Sequence, residues 1–175
     1  HPSAVLPADT PCNLVHVGVA PLARARRGRA ASLGLASLFE WRGSMTHAEL
    51  LDEYRAADIF ALASKVAKDG DRDGLPNVLM EAQTQGLPCI ATEVSAIHEL
   101  VVGGVTGLLV PPESPAEFAD ALAALIADPQ RRRSLGEAGR ARVVATFGMD
   151  MNIERLAAKF GVARPASRRP VESVD

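Results

Sequence analysis

Cysteine is scarce in this chain, and its two residues are too few for a disulfide framework. Cys89 lies in the apolar run Pro88-Cys89-Ile90-Ala91, where a buried free thiol is the expected state and a reducing compartment such as the cytoplasm the expected setting. Long apolar runs are lacking too: none reaches the ~20 residues that a membrane span needs. The start HPSAVLPADTP has neither the basic nor the apolar region of a signal peptide, so no transmembrane segment is expected. Charge of one sign is also wanting. A net charge of -2 and a pI near 6.1 give no overall attraction for nucleic acid, which is not an expected partner. An anionic ligand would have to be held locally.

What remains is enough to build a core. The 175 residues are 47% hydrophobic and 23% charged, in keeping with one globular domain. The chain opens on His1 and not on methionine, and residues 1–12 form an irregular extension, so a fragment or processed product is expected. The domain is expected over residues 13–160, followed by a disordered tail over 161–175 that has no periodicity and little to bury.

Strands and helices alternate, which predicts an α/β, Rossmann-like fold around a mostly parallel sheet with helices on both faces. Strands are predicted at Leu14 to Val19, Ser37 to Arg42, Asp58 to Ala63, Pro88 to Thr92 and Thr106 to Val110. Between them, a helix opens at Pro21, carries RARRGR and ends near Gly34, and a second is capped by Thr46 and reaches Ala57. Pro76 to Gln85 forms a short amphipathic helix with Gly86 as its stop, and a small helix lies around His98 to Val102. Ser114-Pro115-Ala116-Glu117 reads as a capping box with proline at the first helical position, ahead of an apolar stripe of Phe118, Leu122, Leu125 and Ile126. An arginine-rich helix runs from Asp128-Pro129 towards Phe147, and a last one spans Ile153 to Phe160.

The chemistry concentrates after the third strand, in a polar loop that runs into DGLPNVLMEA. With Pro76 as first helical residue, the amides of Asn77 and Val78 are unpaired and the helix start can hold a phosphate. Glu81, five residues past Pro76, lies about 7.5 Å further along the axis, where a ribose attached to that phosphate would stand. Asp73 would reach the opposite side of the anion, and sugar hydroxyls are natural donors to both carboxylates. On spacing alone, Asp73 also reads as a turn residue and Glu81 as a solvated helix residue.

Around this segment the chain reads VHVGVAPL at 15–22, YRAADIFALAS at 54–64, DGDRDGLPNVLMEA at 69–82, QGLPCIATEVSAIHELV at 85–101 and GVTGLLVPP at 104–112. Together these motifs resemble the family 4 glycosyltransferases, retaining enzymes built from two Rossmann-like domains in the architecture called GT-B. Their order and spacing are those of the carboxyl-terminal domain. The resemblance implies that Glu81 holds the ribose and that Asp73, with Gly74 and Leu75, holds the transferred sugar. Backbone groups from Leu75 through Pro76, Asn77 and Val78 would hold the diphosphate, and the loop Gly43-Ser44-Met45 would lie against the nucleobase.

It also implies a hexosyltransferase that uses a nucleotide sugar as donor substrate, with no cofactor and no metal. The expected acceptor is a saccharide or lipid-linked saccharide of cell-surface polysaccharide synthesis. Such an enzyme would be cytoplasmic, peripheral at the inner membrane in its full-length form. The family's amino-terminal acceptor domain, which supplies catalytic residues, and its arginine and lysine that neutralise the diphosphate have no counterpart ahead of Leu14 in these residues. Asp73 replaces the usual glutamate and is shorter by about 1.5 Å. Gln83-Thr84-Gln85 replaces Met-Ala-Ser, and His98 stands where proline is common and reads as a surface or helix-start residue.

Other readings fit less of the chain. Asp69, Asp71, Asp73 and Gly74 open like a calcium-binding EF-hand loop, but the twelfth position is Met80 and the required glutamate falls one place late at Glu81. Val17-Gly18-Val19-Ala20 lacks the glycine fingerprint of a dinucleotide-binding domain. A truncated or degenerate nucleotide-binding domain without catalysis stays open beside the transferase.

Overall fold

The computed structural model describes residues 12–19, 23–65 and 74–147. Among the described residues every strand pairing is parallel, in two sheets. In the first, β1 (Leu14–Val17) pairs with β2 (Phe39–Gly43). In the second, β4 (Cys89–Thr92) lies between β3 (Phe60–Leu62) and β5 (Leu108–Val110). Helices α1 (Ala23–Ser32), α3 (Asn77–Thr84) and α4 (Ile97–Leu100) connect paired strands, as parallel pairing requires, and α2 (His47–Ala56) leads from the first sheet to the second. Then α5 (Pro115–Ala127) and α6 (Pro129–Phe147) follow β5.

All four residues of β4 are buried, which fits the uninterrupted apolar run read from the sequence. Alternate side chains enter two clusters on opposite faces. Cys89 and Ala91 pack with Tyr54 of α2, Leu79 and Ala82 of α3, and Ile97 and Leu100 of α4. Ile90 instead joins Val110, Leu125 and Leu135, with Phe118 and Leu122 of α5 against them. The strand is thus clamped between helices from both sides.

Several local expectations hold. The Thr46 hydroxyl accepts from the Glu49 amide at 3.3 Å while the Glu49 carboxylate accepts from the Thr46 amide at 2.7 Å, a reciprocal capping box. Gly34 and Gly86, with φ of 71° and 79°, take the left-handed conformation that ends a helix at little cost for glycine.

Others need correction. The first strand stops at Val17, because Gly18 turns with φ 109° and donates to the Gly43 carbonyl at 2.7 Å. Ser37 lies in a 3-10 turn, Ala36–Leu38, that delays β2 until Phe39. Ser114 makes no capping hydrogen bond from its side chain, since its backbone, with φ -109° and ψ 73°, is not in the extended conformation of a capping residue. Thr106 is not a strand residue: its buried hydroxyl accepts from the Val102 amide at 2.8 Å, which ends α4 short of the expected Val102 and delays β5. The helix expected at Ile153 to Phe160 and the tail lie outside the described residues.

The two cysteines differ in reach. Cys89 is fully buried, and burial pushes its thiol up to about 12, whereas Cys12 is partly exposed. At neutral pH, a thiol reagent should therefore label one cysteine in the folded protein and two in denaturant. Peptide mapping that found Cys89 labelled as fast as Cys12 under native conditions would contradict this burial.

Candidate functional site

The site grows from the segment between β3 and β4. Pro76 is buried and serves as the N-cap of α3, with φ -64° and ψ 120°. This corrects its expected place as first helical residue: its ψ is extended, so the helix begins one position later at Asn77. The consequence for the anion site is small. Proline has no side-chain acceptor to cap the helix, and the first backbone hydrogen bond is from the Leu79 amide to the Pro76 carbonyl at 3.1 Å. The amides of Asn77 and Val78 remain at the positions that lack an intrahelical acceptor, and both residues are exposed.

Glu81 stands four residues into α3 from Asn77, about 6 Å along the axis. It is half-buried, and the Tyr54 hydroxyl donates to its Oε2 at 3.3 Å. Tyr54 is itself buried, packed edge-on against Phe60 with ring centroids 5.8 Å apart. Burial first, and then the neighbouring Glu81 charge, push the tyrosine hydroxyl far above its ordinary value, so it stays protonated and can only donate to the carboxylate.

Asp73, like Asp69 and Asp71, lies outside the described residues. Gly74 and Leu75 precede the helix directly, and the Gly74 carbonyl accepts from the Ala96 amide at 3.3 Å, which ties this turn to the start of α4. Gly43, Ser44 and Met45 form the turn between β2 and α2, with Gly43 at φ 71° and Ser44 exposed. The turn therefore opens the helix whose last turn carries Tyr54 to Glu81. His98 is an exposed residue of α4, in keeping with a surface or helix-start role.

Two residues of this region were not singled out by the sequence. Tyr54 is the chain's one tyrosine and follows Leu50 and Leu51 on the buried side of α2, a pattern that announces packing but not a polar partner on α3. Ser95, after β4, holds φ 53°, a rare conformation for serine, and its hydroxyl is buried without a hydrogen-bond partner.

Parallel strands with helices on both faces make this a Rossmann-like fold of the kind found in GT-B glycosyltransferases. The family model described as "Glycosyl transferases group 1" matches residues 3–128, and the chain belongs to that family. Among its relatives is a D-inositol 3-phosphate glycosyltransferase of Streptomyces bingchenggensis, 36% identical over 140 residues that cover 80% of this chain and 29% of the relative. Another is a GDP-mannose-dependent alpha-(1-6)-phosphatidylinositol monomannoside mannosyltransferase of Mycobacterium tuberculosis, 34% identical over 145 residues, 82% of this chain and 38% of the relative. The chain thus spans about a third of the length of these curated relatives. Its fold also matches the crystal structure of Anabaena HepE in complex with UDP, with a TM-score of 0.77 and 21% identity over 89% of this chain and 42% of that one. At that identity the likeness speaks for the fold alone.

Proposed function

We propose that the chain is the donor-binding, carboxyl-terminal half of a retaining, family 4 glycosyltransferase that moves a hexose from a nucleoside diphosphate to a saccharide or lipid-linked acceptor. The observation that carries this is the start of α3: the amides of the exposed residues Asn77 and Val78, with no side-chain cap, and a held carboxylate at Glu81 one turn on, in a chain of the group 1 family. Phosphate oxygens are strong acceptors and ribose hydroxyls are donors, so amides followed by a carboxylate match the order of groups along a nucleoside diphosphate.

In this assignment Asn77 and Val78, with the backbone of Leu75 and Pro76, take the diphosphate and Glu81 the ribose. Asp73, Gly74 and Leu75 meet the transferred sugar, and Gly43, Ser44 and Met45 meet the base. The GDP-mannose dependence in the name of the mycobacterial relative supports a nucleoside-diphosphate hexose as donor. A role in cell-surface polysaccharide synthesis agrees with a saccharide acceptor, and work at the inner face of the membrane would bring the enzyme to a lipid-linked one. The leaving diphosphate is stabilised at the helix start without a metal. The amino-terminal domain of the two-domain architecture would supply the acceptor site and close over the donor.

Saturation-transfer NMR of the 175-residue chain with UDP, GDP, ADP and their glucose or mannose conjugates tests the donor half. Signal is expected on ribose and sugar protons of at least one nucleotide, with dissociation constants on the order of millimolar, because only part of the charge compensation is present. No sugar transfer is expected from this chain alone. Absence of saturation transfer from every nucleotide would overturn the donor site, and efficient transfer to an acceptor would overturn its assignment as half an enzyme.

A further inference from the structure

Adjacent residues at the end of α2 grip successive turns of α3. The Tyr54 hydroxyl donates to Glu81 Oε2 at 3.3 Å, and Arg55 Nε donates to Gln85 Oε1 at 3.1 Å. Gln85 follows Glu81 by four residues, so the two acceptors lie on one edge of the helix. The two anchors differ in setting. The Arg55 pair is exposed and its guanidinium is shared with Asp52 at 2.9 Å, whereas the Tyr54 ring is buried and held edge-on by Phe60. An exposed contact of the first kind is worth little, but a donor fixed in the core can fix its partner.

A glutamate on a helix surface ordinarily samples several rotamers about three torsions. Here a donor that cannot move without repacking the core occupies one carboxylate oxygen. Each carboxylate oxygen accepts about two hydrogen bonds, so Oε1 and the second site of Oε2 stay open to a pair of hydroxyls.

We infer that Tyr54 is a positioning residue for donor recognition: its hydroxyl orients the Glu81 carboxylate so that ribose hydroxyls meet a fixed pair of acceptors. The inference rests on the assignment of Glu81 to the ribose. Tyr54 touches no ligand itself, and its effect reaches the nucleotide only through Glu81. The role predicts a selective loss: removing the hydroxyl costs affinity for a nucleotide with its full set of ribose hydroxyls and spares one with fewer.

The test compares UDP and GDP with their 2′-deoxy forms by saturation-transfer titration of the wild-type chain, Tyr54→Phe and Glu81→Ala. Phenylalanine keeps the ring against Phe60, and Tyr54→Met, which keeps apolar bulk without the hydroxyl, serves if the first variant fails to melt cooperatively. The expected result is a roughly threefold to tenfold weaker binding of the ribonucleotide to Tyr54→Phe, the net worth of one ordinary hydrogen bond, with 2′-deoxy binding unchanged. Glu81→Ala should abolish the preference for the ribonucleotide. If Tyr54→Phe weakens both nucleotides equally or leaves both unchanged, while Glu81→Ala still abolishes the preference, Tyr54 does not position Glu81. If the wild-type chain has no preference, or Glu81→Ala keeps it, Glu81 is not the ribose acceptor and the inference falls with that assignment.

Discussion

Replacing Gly136 by alanine should lower the melting temperature by roughly 6–12 °C, whereas the same replacement at Gly28 should raise it slightly. Both glycines are interior to helices, and what surrounds them differs. A Cβ on Gly136 would run into the Gly86 carbonyl oxygen and stand 2.9 Å from the Gly86 carbonyl carbon, all of it backbone that cannot turn aside. Relief requires α6 to move away from the end of α3, and overpacking of this kind costs about 3 kcal/mol. A Cβ on Gly28, in α1, meets nothing within 4 Å, so alanine there should gain about 0.5–1 kcal/mol of helix propensity. Gly139 lies between the two: its Cβ would stand 3.1 Å from Gln83 Nε2 and from the Thr106 carbonyl. Thermal melts of the three variants, followed by circular dichroism, should rank Gly136→Ala below Gly139→Ala below Gly28→Ala. A Gly136→Ala variant as stable as the wild type would show that α6 does not approach α3 this closely.

The close approach matters for the site as well as for stability. Gly136 and Gly139 lie one turn apart on α6, and the gap they leave lets the helix rest against α3, where Gln83 is fully buried and its Nε2 donates to the Thr106 carbonyl at 2.9 Å. Arg142, one turn further along, donates to the Leu100 and Glu99 carbonyls at 3.1 and 2.6 Å, which ties α6 to the end of α4. The backbone of α3 is thus gripped by α6 on one side and by α2 on the other. For the proposed donor site, such restraint of α3 leaves less ordering to binding.

The parts of this fold that could be read from sequence are those fixed by local chemistry. Thr46 and Glu49 carry their capping box wherever the chain goes, and Gly86 marks a helix end because few other residues take φ near 79° cheaply. The Cys89–Thr92 strand was legible because burial on both faces demands an unbroken apolar run. What failed depended on backbone geometry and packing, which residue type alone does not specify. Ser114 has the letters of a capping box but not the backbone angles, and Thr106 has strand propensity but spends its hydroxyl on the Val102 amide. The glycines of α6 look like helix weaknesses until α3 is set beside them. At the site, the order Pro76, Asn77, Val78, Glu81 could be read because one helix start contains all of it. The donor from Tyr54 could not, since a tyrosine 27 residues upstream reaches Glu81 only through the packing of two helices. Asp73 falls outside the described residues.

Glu81→Ala should weaken nucleoside-diphosphate binding by roughly 10- to 100-fold while leaving the protein folded. The size follows from hydrogen bonds to a charged acceptor, each worth about 1.5–3 kcal/mol, when the carboxylate proposed to meet the ribose is removed. Folding should suffer less. Glu81 is half-buried and outside the apolar cluster formed by Leu79 and Ala82, and alanine has the highest helix propensity, so the helix itself gains. The opposing cost is the Tyr54 hydroxyl, which loses its acceptor in a partly buried position, a penalty of about 1–3 kcal/mol unless water replaces the carboxylate. Glu81→Gln separates the two effects, because its amide oxygen can still accept from Tyr54 while its charge is gone. Titration with UDP and GDP should place Gln between wild type and Ala in affinity, and thermal melts should place it near the wild type in stability. If Ala and wild type bind equally, the carboxylate has no part in holding a nucleotide, and Glu81 is only the polar edge of α3.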